Sequence, residues 1–357
     1  MQKTTYLRNA WYAAAWQNEI TGELLGRTLL GQPIVFYRDE AGKPIALSDR
    51  CPHRYAPLSK GKIIDGAIQC PYHGLRFGPT GACVHNPHGS IPKAARVGAF
   101  PLLEKYGLVW IWMGDPAAAD PATLPDFSII ADHDNYAIVQ GYLHVGANYQ
   151  LITDNLLDLS HAQYVHKFIG NTDSNERNIF EMKVEGDTVW AYNTMPNEPL
   201  TKLFQLMWRS STTIGDRRAH MRWDPPCHLM LDVGFTECGR PTSEGPSAPS
   251  AHILTPETEN STHYFWAVAR DSMRDDAELS KKIWQGIDTA FRLEDEPMIV
   301  DCQTRMEGAD LMSLNPVLLT TDAAAMRARR LLAMRIEKEQ AEKALASAQA
   351  PQVETRA

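Results

Sequence analysis

The sequence predicts an α+β protein in two parts, on three observations. Short apolar runs cut by Gly, Pro and Asp fill the first hundred-odd residues. Patterning turns to mixed helix and strand beyond about residue 140, and a stretch rich in Ala, Arg, Glu, Lys and Leu lies near the C-terminus. In the first part, residues 1–140, the runs at 33–37 and 108–112 have the β-branched and aromatic content of short antiparallel strands. The Ala/Asp/Pro segment 114–125 reads as a linker or loop, with the domain boundary after it, near residue 140. In the second part, residues 141–357, helical spacing of Leu151, Ile152, Leu156, Leu157, Leu159 and Tyr164 predicts a helix within 148–166. Strands are expected at 229–235 and 263–268, a loop at 239–250 and a helix over 281–303. A last helix is expected over 321–348, capped by Thr321 or Asp322.

The chain has 357 residues, 44% hydrophobic and 22% charged, which excludes a disordered or fibrous protein and leaves enough interior for substantial cores. Thirty-five Lys and Arg against 43 Asp and Glu give a net charge of −8, which argues against nucleic acid or an anionic membrane as partner. No apolar run approaches the ~20 residues that span a bilayer. The apolar stretch 11–16 is too short for a signal-peptide core, so a cytoplasmic protein is expected. In that compartment the six cysteines serve as ligands or core residues, not as disulfides.

Two constellations carry chemistry. Cys51-Pro52-His53 is followed by Cys70-Pro71-Tyr72-His73. Two loops that each offer a thiolate and an imidazole can hold a two-iron, two-sulfide cluster, with the thiolates on one iron and the imidazoles on the other. Neutral imidazoles in place of thiolates raise the potential of the reducible iron. Zinc takes the same ligand set, but zinc modules usually pair like ligands, whereas each loop here is mixed. Pro52, Pro57 and Pro71 stiffen the loops, and Gly74 admits close backbone approach. Cys83, Cys227, Cys238 and Cys302 lack ligand spacing and are expected to be buried or inert.

The second constellation runs from Asp154 to His166. His161 and His166 stand five residues apart, about 140° around a regular helix, so they converge on one ion only through a π-type turn or a helix break. Ordinary hydrogen-bonded helix histidines are the alternative. The interleaved acids, and an upstream cluster that needs a destination for electrons, favour metal. A carboxylate would complete a facial triad for non-haem Fe(II) with positions left open for oxygen. Glu294, Asp295 and Glu296 are candidates, and spacing does not choose among them.

Both constellations, in this order, resemble the oxygenase component of the Rieske non-haem iron oxygenases, nearest the vanillate and dicamba O-demethylase group. The stretches Arg8-Asn9-Ala10-Trp11-Tyr12, Asp154-Asn155-Leu156-Leu157-Asp158-Leu159, His161-Ala162-Gln163-Tyr164-Val165-His166 and His252-Ile253-Leu254-Thr255-Pro256-Glu257 extend the likeness over nearly the whole chain. Respiratory Rieske domains usually carry an extra cysteine in each loop, tied as a disulfide. Residues such as Tyr72 stand there instead, which favours the oxygenase type. The resemblance implies an N-terminal Rieske [2Fe-2S] β domain and a helix-grip (START-like) catalytic domain, a curved antiparallel sheet wrapped on a long helix. It implies His161, His166 and Asp295 as ligands of a mononuclear Fe2+, with Asn155 beside the iron. It also implies Asp158 as a bridge from His161 to the cluster histidine His73 of a neighbouring subunit in a head-to-tail homotrimer. His252 matches a substrate-contacting histidine. Asp232 is aligned with a substrate-contacting asparagine, and the segment after Trp284 is longer than in the group; both departures bear on the substrate.

The function expected from the resemblance is the terminal oxygenase of a multicomponent monooxygenase. It would oxidise a methyl or O-methyl group of a small, anionic aromatic compound with O2, and O-demethylation would release formaldehyde. No Gly-x-Gly-x-x-Gly motif is present, so electrons from NAD(P)H would arrive through a separate flavin and ferredoxin-type reductase. The rivals are ring cis-dihydroxylation and, from another class, a Rieske-type electron carrier. The carrier leaves the second constellation without a role.

Overall fold

The computed structural model describes residues 6–171 and 173–349. The first hundred-odd residues form β1 (Trp11–Trp16), β2 (Leu25–Leu29), β3 (Gln32–Arg38), β4 (Pro44–Ser48), β5 (Lys62–Ile64), β6 (Ala67–Gln69), β7 (Arg76–Phe77), β8 (Cys83–His85), β9 (Leu102–Lys105) and β10 (Leu108–Trp112). They make three small antiparallel sheets, ordered β1-β10-β9, β2-β3-β4 and β5-β6-β7-β8. The 114–125 segment carries two single 3₁₀ turns, Pro116–Ala118 and Pro121–Thr123, capped by Asp115 and Asp120.

The second part is built on one seven-stranded antiparallel sheet ordered β11-β17-β16-β15-β14-β13-β12. Its strands are β11 (Ala137–Val145), β12 (Ile179–Glu185), β13 (Thr188–Pro199), β14 (Ile214–Asp224), β15 (His228–Thr236), β16 (Ser250–Thr258) and β17 (Ser261–Arg270). The strands expected at 229–235 and 263–268 thus form. A junction at residue 140 would fall inside β11, which pairs with β17 from Ala137 to Val145.

β16 and β17 are buried on both faces. Behind them, Ala251, Ile253, Phe265 and Ala267 pack against Trp11, Trp16 and Trp110 of the first part. Main-chain bonds from Leu30 N to Pro256 O and from Gly31 N to Glu257 O, both 2.8 Å, also tie the two parts together. On the front face lie α1 (Tyr149–Leu157), α2 (Ala162–Val165), α3 (Ser174–Arg177), α4 (Lys202–Met207), α5 (Ala277–Thr289), α6 (Glu296–Arg305) and α7 (Ala323–Gln349) or their flanking turns. Phe291, just beyond α5, packs its ring on His252, Tyr264 and Trp266 of that face.

Two expected helices are interrupted. The one read over 148–166 stops at Leu157, where Asp158 turns extended and its carboxylate accepts from Ser160 N, capping the 3₁₀ turn Leu159–His161. α2 follows, and Tyr164, expected on the apolar face, is 77% exposed. The helix read over 281–303 is α5 and α6 joined by a π turn, Ala290–Asp295. Pro297, in the first turn of α6, has no N–H for the Leu293 carbonyl, and the wider turn accommodates this. The C-terminal helix starts two residues after Thr321, behind a 3₁₀ turn closed by Leu319 N donating to Asp322 Oδ2.

Candidate metal centres

The Cys51 and Cys70 loops are copies of one six-residue unit. In each, the cysteine N–H donates to the carbonyl five residues on (Ala56 and Leu75), and its carbonyl accepts from the N–H four residues on (Tyr55 and Gly74). That fourth position has positive φ in both, 57° at Tyr55 and 75° at Gly74. A Cβ on Gly74 would also stand 3.2 Å from Pro87 Cγ. The buried Asp49 carboxylate takes Ser59 N and Oγ, each at 2.6 Å, and pins the chain after the first loop.

Together the loops place the two buried thiols side by side and bring the two imidazoles edge to face at a centroid distance of 4.4 Å. Burial, with the Cys70 thiol adjacent, pushes the Cys51 thiol up to about 11. Holding both sulfurs as thiolates therefore takes compensating cations, and a cluster supplies them. The imidazoles lie at the surface, flanked by Tyr55 and Tyr72, 75% and 59% exposed. His88 donates through Nε2 to His73 O at 2.9 Å. Cys83 packs in the same apolar cluster as Cys51 and Cys70, Cys227 is buried in the core of the second part, and Cys238 and Cys302 are exposed; all are free.

The second constellation closes through the broken helix. His161 ends the 3₁₀ turn, His166 lies extended just past α2, and Asp295 ends the π turn. His161 Nε2 and His166 Nε2 lie 3.4 and 3.3 Å from Asp295 Oδ1, and one ligand atom from each residue falls within 4.8 Å of the others. Two imidazoles and one carboxylate oxygen converging from one side fit a facial-triad ion. Burial would raise the Asp295 pKa, but hydrogen bonds from His161 and His166 hold it down at about 2. Asn155 Nδ2 lies 3.3 Å from Asp295 Oδ1 and 3.4 Å from His161 Nε2, as expected of a residue beside the ion.

Both outer nitrogens are also engaged. His161 Nδ1 donates to the main-chain carbonyl of Asp158 at 2.7 Å, whereas the sequence suggested the Asp158 carboxylate. That carboxylate turns away to Ser160 N at 3.0 Å and Thr321 Oγ1 at 3.1 Å, because it is spent on capping. His166 Nδ1 lies 3.0 Å from Glu294 Oε2. Glu294, read from sequence only as a rival ligand, orients one instead.

Beside the triad opens a cavity walled by Leu156, Met221, Leu231, Val233, Ile287 and Phe291. His252 lines it, with Nε2 3.0 Å from Ser250 Oγ and Nδ1 2.6 Å from Tyr264 OH. Burial drives its pKa down to about 4, so it is neutral at pH 7 and does not serve as a cation. Asp232 does not line the cavity. Strand alternation turns its neighbours Leu231 and Val233 inward and sends Asp232 to the opposite face, paired with Arg218 at 3.0 Å. Parity also brings in a residue the sequence reading missed. Arg217, Ala219, Met221 and Trp223 share the inner face of β14, and Arg217, 8% exposed, lines the cavity.

Residues 10–100 match the family described as Rieske [2Fe-2S] domain, and residues 145–338 the one described as Vanillate O-demethylase oxygenase C-terminal domain. The chain is 40% identical over 330 residues to the dicamba O-demethylase oxygenase component of Stenotrophomonas maltophilia, covering 91% of this chain and 96% of that protein. It is 39% identical over 337 residues to the chloroacetanilide N-alkylformylase oxygenase component of Rhizorhabdus wittichii, covering 94% and 97%. A crystal structure of dicamba monooxygenase bound to 3,6-dichlorosalicylic acid superimposes with a TM-score of 0.90 at 38% identity, covering 95% of this chain and 100% of that one.

Proposed function

The chain belongs to the Rieske oxygenases with a vanillate O-demethylase-type catalytic domain, and on that premise we propose that it oxidises a methyl or O-methyl carbon of an aromatic acid. It does so as the terminal, monooxygenase component of a system in which a flavin and ferredoxin-type reductase passes on electrons from NAD(P)H. In this reading Cys51 and Cys70 hold one iron of the cluster, His53 and His73 the other, and His161, His166 and Asp295 hold Fe2+. The iron, when bound, supplies the means of activating O2. One oxygen atom enters a C–H bond and the other leaves as water, with two electrons and two protons consumed. At an O-methyl carbon the resulting hemiacetal collapses to a phenol and formaldehyde.

The single observation that carries the reading is the convergence of His161, His166 and Asp295 on the wall of an apolar cavity. Apolar walls exclude water and hold an aromatic ring by contact, with His252 as a neutral hydrogen-bonding wall residue. The two centres lie in separate parts of the chain, a cluster unit and a catalytic unit whose sheet begins at Ala137. Electron transfer is assigned to neighbouring copies in a head-to-tail homotrimer, with His73 of one copy facing Asp158 of the next. The exposed His53 and half-buried His73 beside Tyr55 and Tyr72, and the 77% exposed Tyr164 between the two histidine ligands, support such contact surfaces. The setting proposed is the cytoplasm; among the described residues no helix is long and apolar enough to cross a membrane.

The test is a panel of methoxybenzoates, methylbenzoates and methylbenzenesulfonates with a generic reductase, read by NADH use and product. Formaldehyde or a benzylic alcohol formed one-to-one with NADH supports the proposal. A cis-diol, or NADH use with no organic product, overturns it.

A further inference from the structure

Arg217 is a buried cation for which the reaction described so far has no use. Its Nη1 donates to Glu198 Oε1 at 3.2 Å, its only hydrogen bond among the described residues. Nε is sealed from solvent without an acceptor there, and Oε2 of Glu198 is likewise buried without a donor. Glu198 Oε1 is meanwhile shared with Ser174 Oγ at 2.6 Å and Asn171 Nδ2 at 3.3 Å. A guanidinium has five N–H donors, and its side-on edge matches a two-oxygen anion. Burying such a group with that edge unpaired is costly unless something completes it. Arg217 lines the same cavity as the triad, so an anion held there meets its guanidinium.

We propose that Arg217 anchors the substrate's anionic group, a carboxylate or sulfonate on the aromatic ring, through guanidinium N–H groups that Glu198 leaves free. The proposal rests on the methyl-oxidation reading and names the charge its substrate carries. His252 is a poor rival for the anion, because both its ring nitrogens are already hydrogen bonded. The two residues also enter the cavity from different rungs of the sheet. His252 stands level with Leu229 and Trp223 across the sheet, and Arg217 lies six residues further along β14, about 20 Å of strand. Arg217 therefore marks an anion-binding end of the cavity separate from His252, and the ring's methyl-bearing side is left to the triad.

The test is equilibrium binding by calorimetry to full-length protein with its cluster intact and Co2+ in place of the mononuclear iron. The probes are 4-methoxybenzoate, 4-methylbenzenesulfonate and the uncharged 4-methoxybenzamide. Wild type should bind the two anions about tenfold or more tighter than the amide, the worth of a charge-assisted pair. Arg217→Lys, which keeps the charge but loses the planar edge, should weaken the carboxylate. Arg217→Met alone leaves Glu198 unpaired and is prone to misfold, so the double variant Arg217→Met/Glu198→Leu removes both charges. It should retain cluster and Co2+ and bind all three probes alike. An amide bound as tightly as the acid by wild type, or an acid preference that survives in the double variant, overturns the anchor. Turnover separates the two levels. Neutral methoxyarenes oxidised as fast as the acids leave the reaction standing and remove the anchor. Acids that bind tightly but yield no oxidised methyl product leave the anchor standing and remove the reaction.

Discussion

Glutamine at position 294 keeps the size of the side chain and removes its charge, and it perturbs the mononuclear centre from behind a ligand. Glu294 Oε2 stands 3.0 Å from His166 Nδ1, while Nε2 of the same ring faces Asp295 Oδ1 at 3.3 Å. The carboxylate therefore keeps the proton on Nδ1 and frees the Nε2 lone pair for an ion. Loss of such a partner typically costs 10–100-fold in metal affinity, about 1.4–2.8 kcal/mol. Glu294→Gln retains an amide oxygen that can accept from Nδ1, so the expected loss is about tenfold. Glu294→Ala leaves the N–H of a buried ring without an acceptor, and about 100-fold is expected. The assay is anaerobic titration of Fe2+ or Co2+ by calorimetry, with the cluster's visible absorption as the control for folding. If both variants bind metal within about twofold of wild type, Glu294 does not orient His166 and the reasoning fails.

Three further outcomes are expected. Asp158→Asn keeps the main-chain carbonyl on His161, so iron and cluster content should match wild type; in a single turnover with substrate and O2 the reduced cluster should re-oxidise about tenfold or more slowly, and a wild-type rate would remove the inter-subunit route. Arg329 of α7 grips Asp154 of α1 through Nε at 2.9 Å and Nη2 at 2.6 Å. Arg329→Met, which strands a buried carboxylate beside Asn155, should cost about 3–5 kcal/mol in denaturant melts, and Arg329→Met/Asp154→Leu should restore most of it. Burial holds the folded pKa of His228 and His263 down at about 4, below the usual 6.5, so the unfolded chain binds the extra protons. Their contribution is complete above pH ~6.5 and is lost as pH falls towards 4, on the order of 3 kcal/mol each. A denaturation midpoint flat across that window would contradict it.

The parts of the site that depend on ligand chemistry were legible in the sequence, and the parts that depend on direction were not. Mixed Cys/His loops identify a cluster site whatever the surrounding fold, and their side chains meet in the structure. The two histidines converge, as anticipated, only because the helix breaks. The compensating π turn lies instead at the third ligand, where Pro297 interrupts the hydrogen-bond ladder. Asp158 was assigned the right partner through the wrong atom, because capping and second-ligand support compete for one carboxylate and spacing does not arbitrate. Asp232, expected at the substrate from the resemblance alone, lies on the outer face of β15, since a shift of one residue exchanges the faces of a strand. The same alternation, read along Arg217, Ala219, Met221 and Trp223, puts a charge among inward apolar residues, and that was the available signal for the buried arginine.

The central claim is that one chain carries two independent iron centres, and metal analysis of paired variants tests it most directly. Reconstituted wild type should hold about three irons and two acid-labile sulfides per chain, the sum of a two-iron cluster and a facial-triad ion. Cys51→Ala should lose the sulfides, the cluster's two irons and its visible absorption while keeping the single iron. Asp295→Ala should lose that single iron and keep the cluster spectrum unchanged. Zinc without sulfide at the Cys/His loops, or loss of both centres together in a folded single variant, would contradict the account.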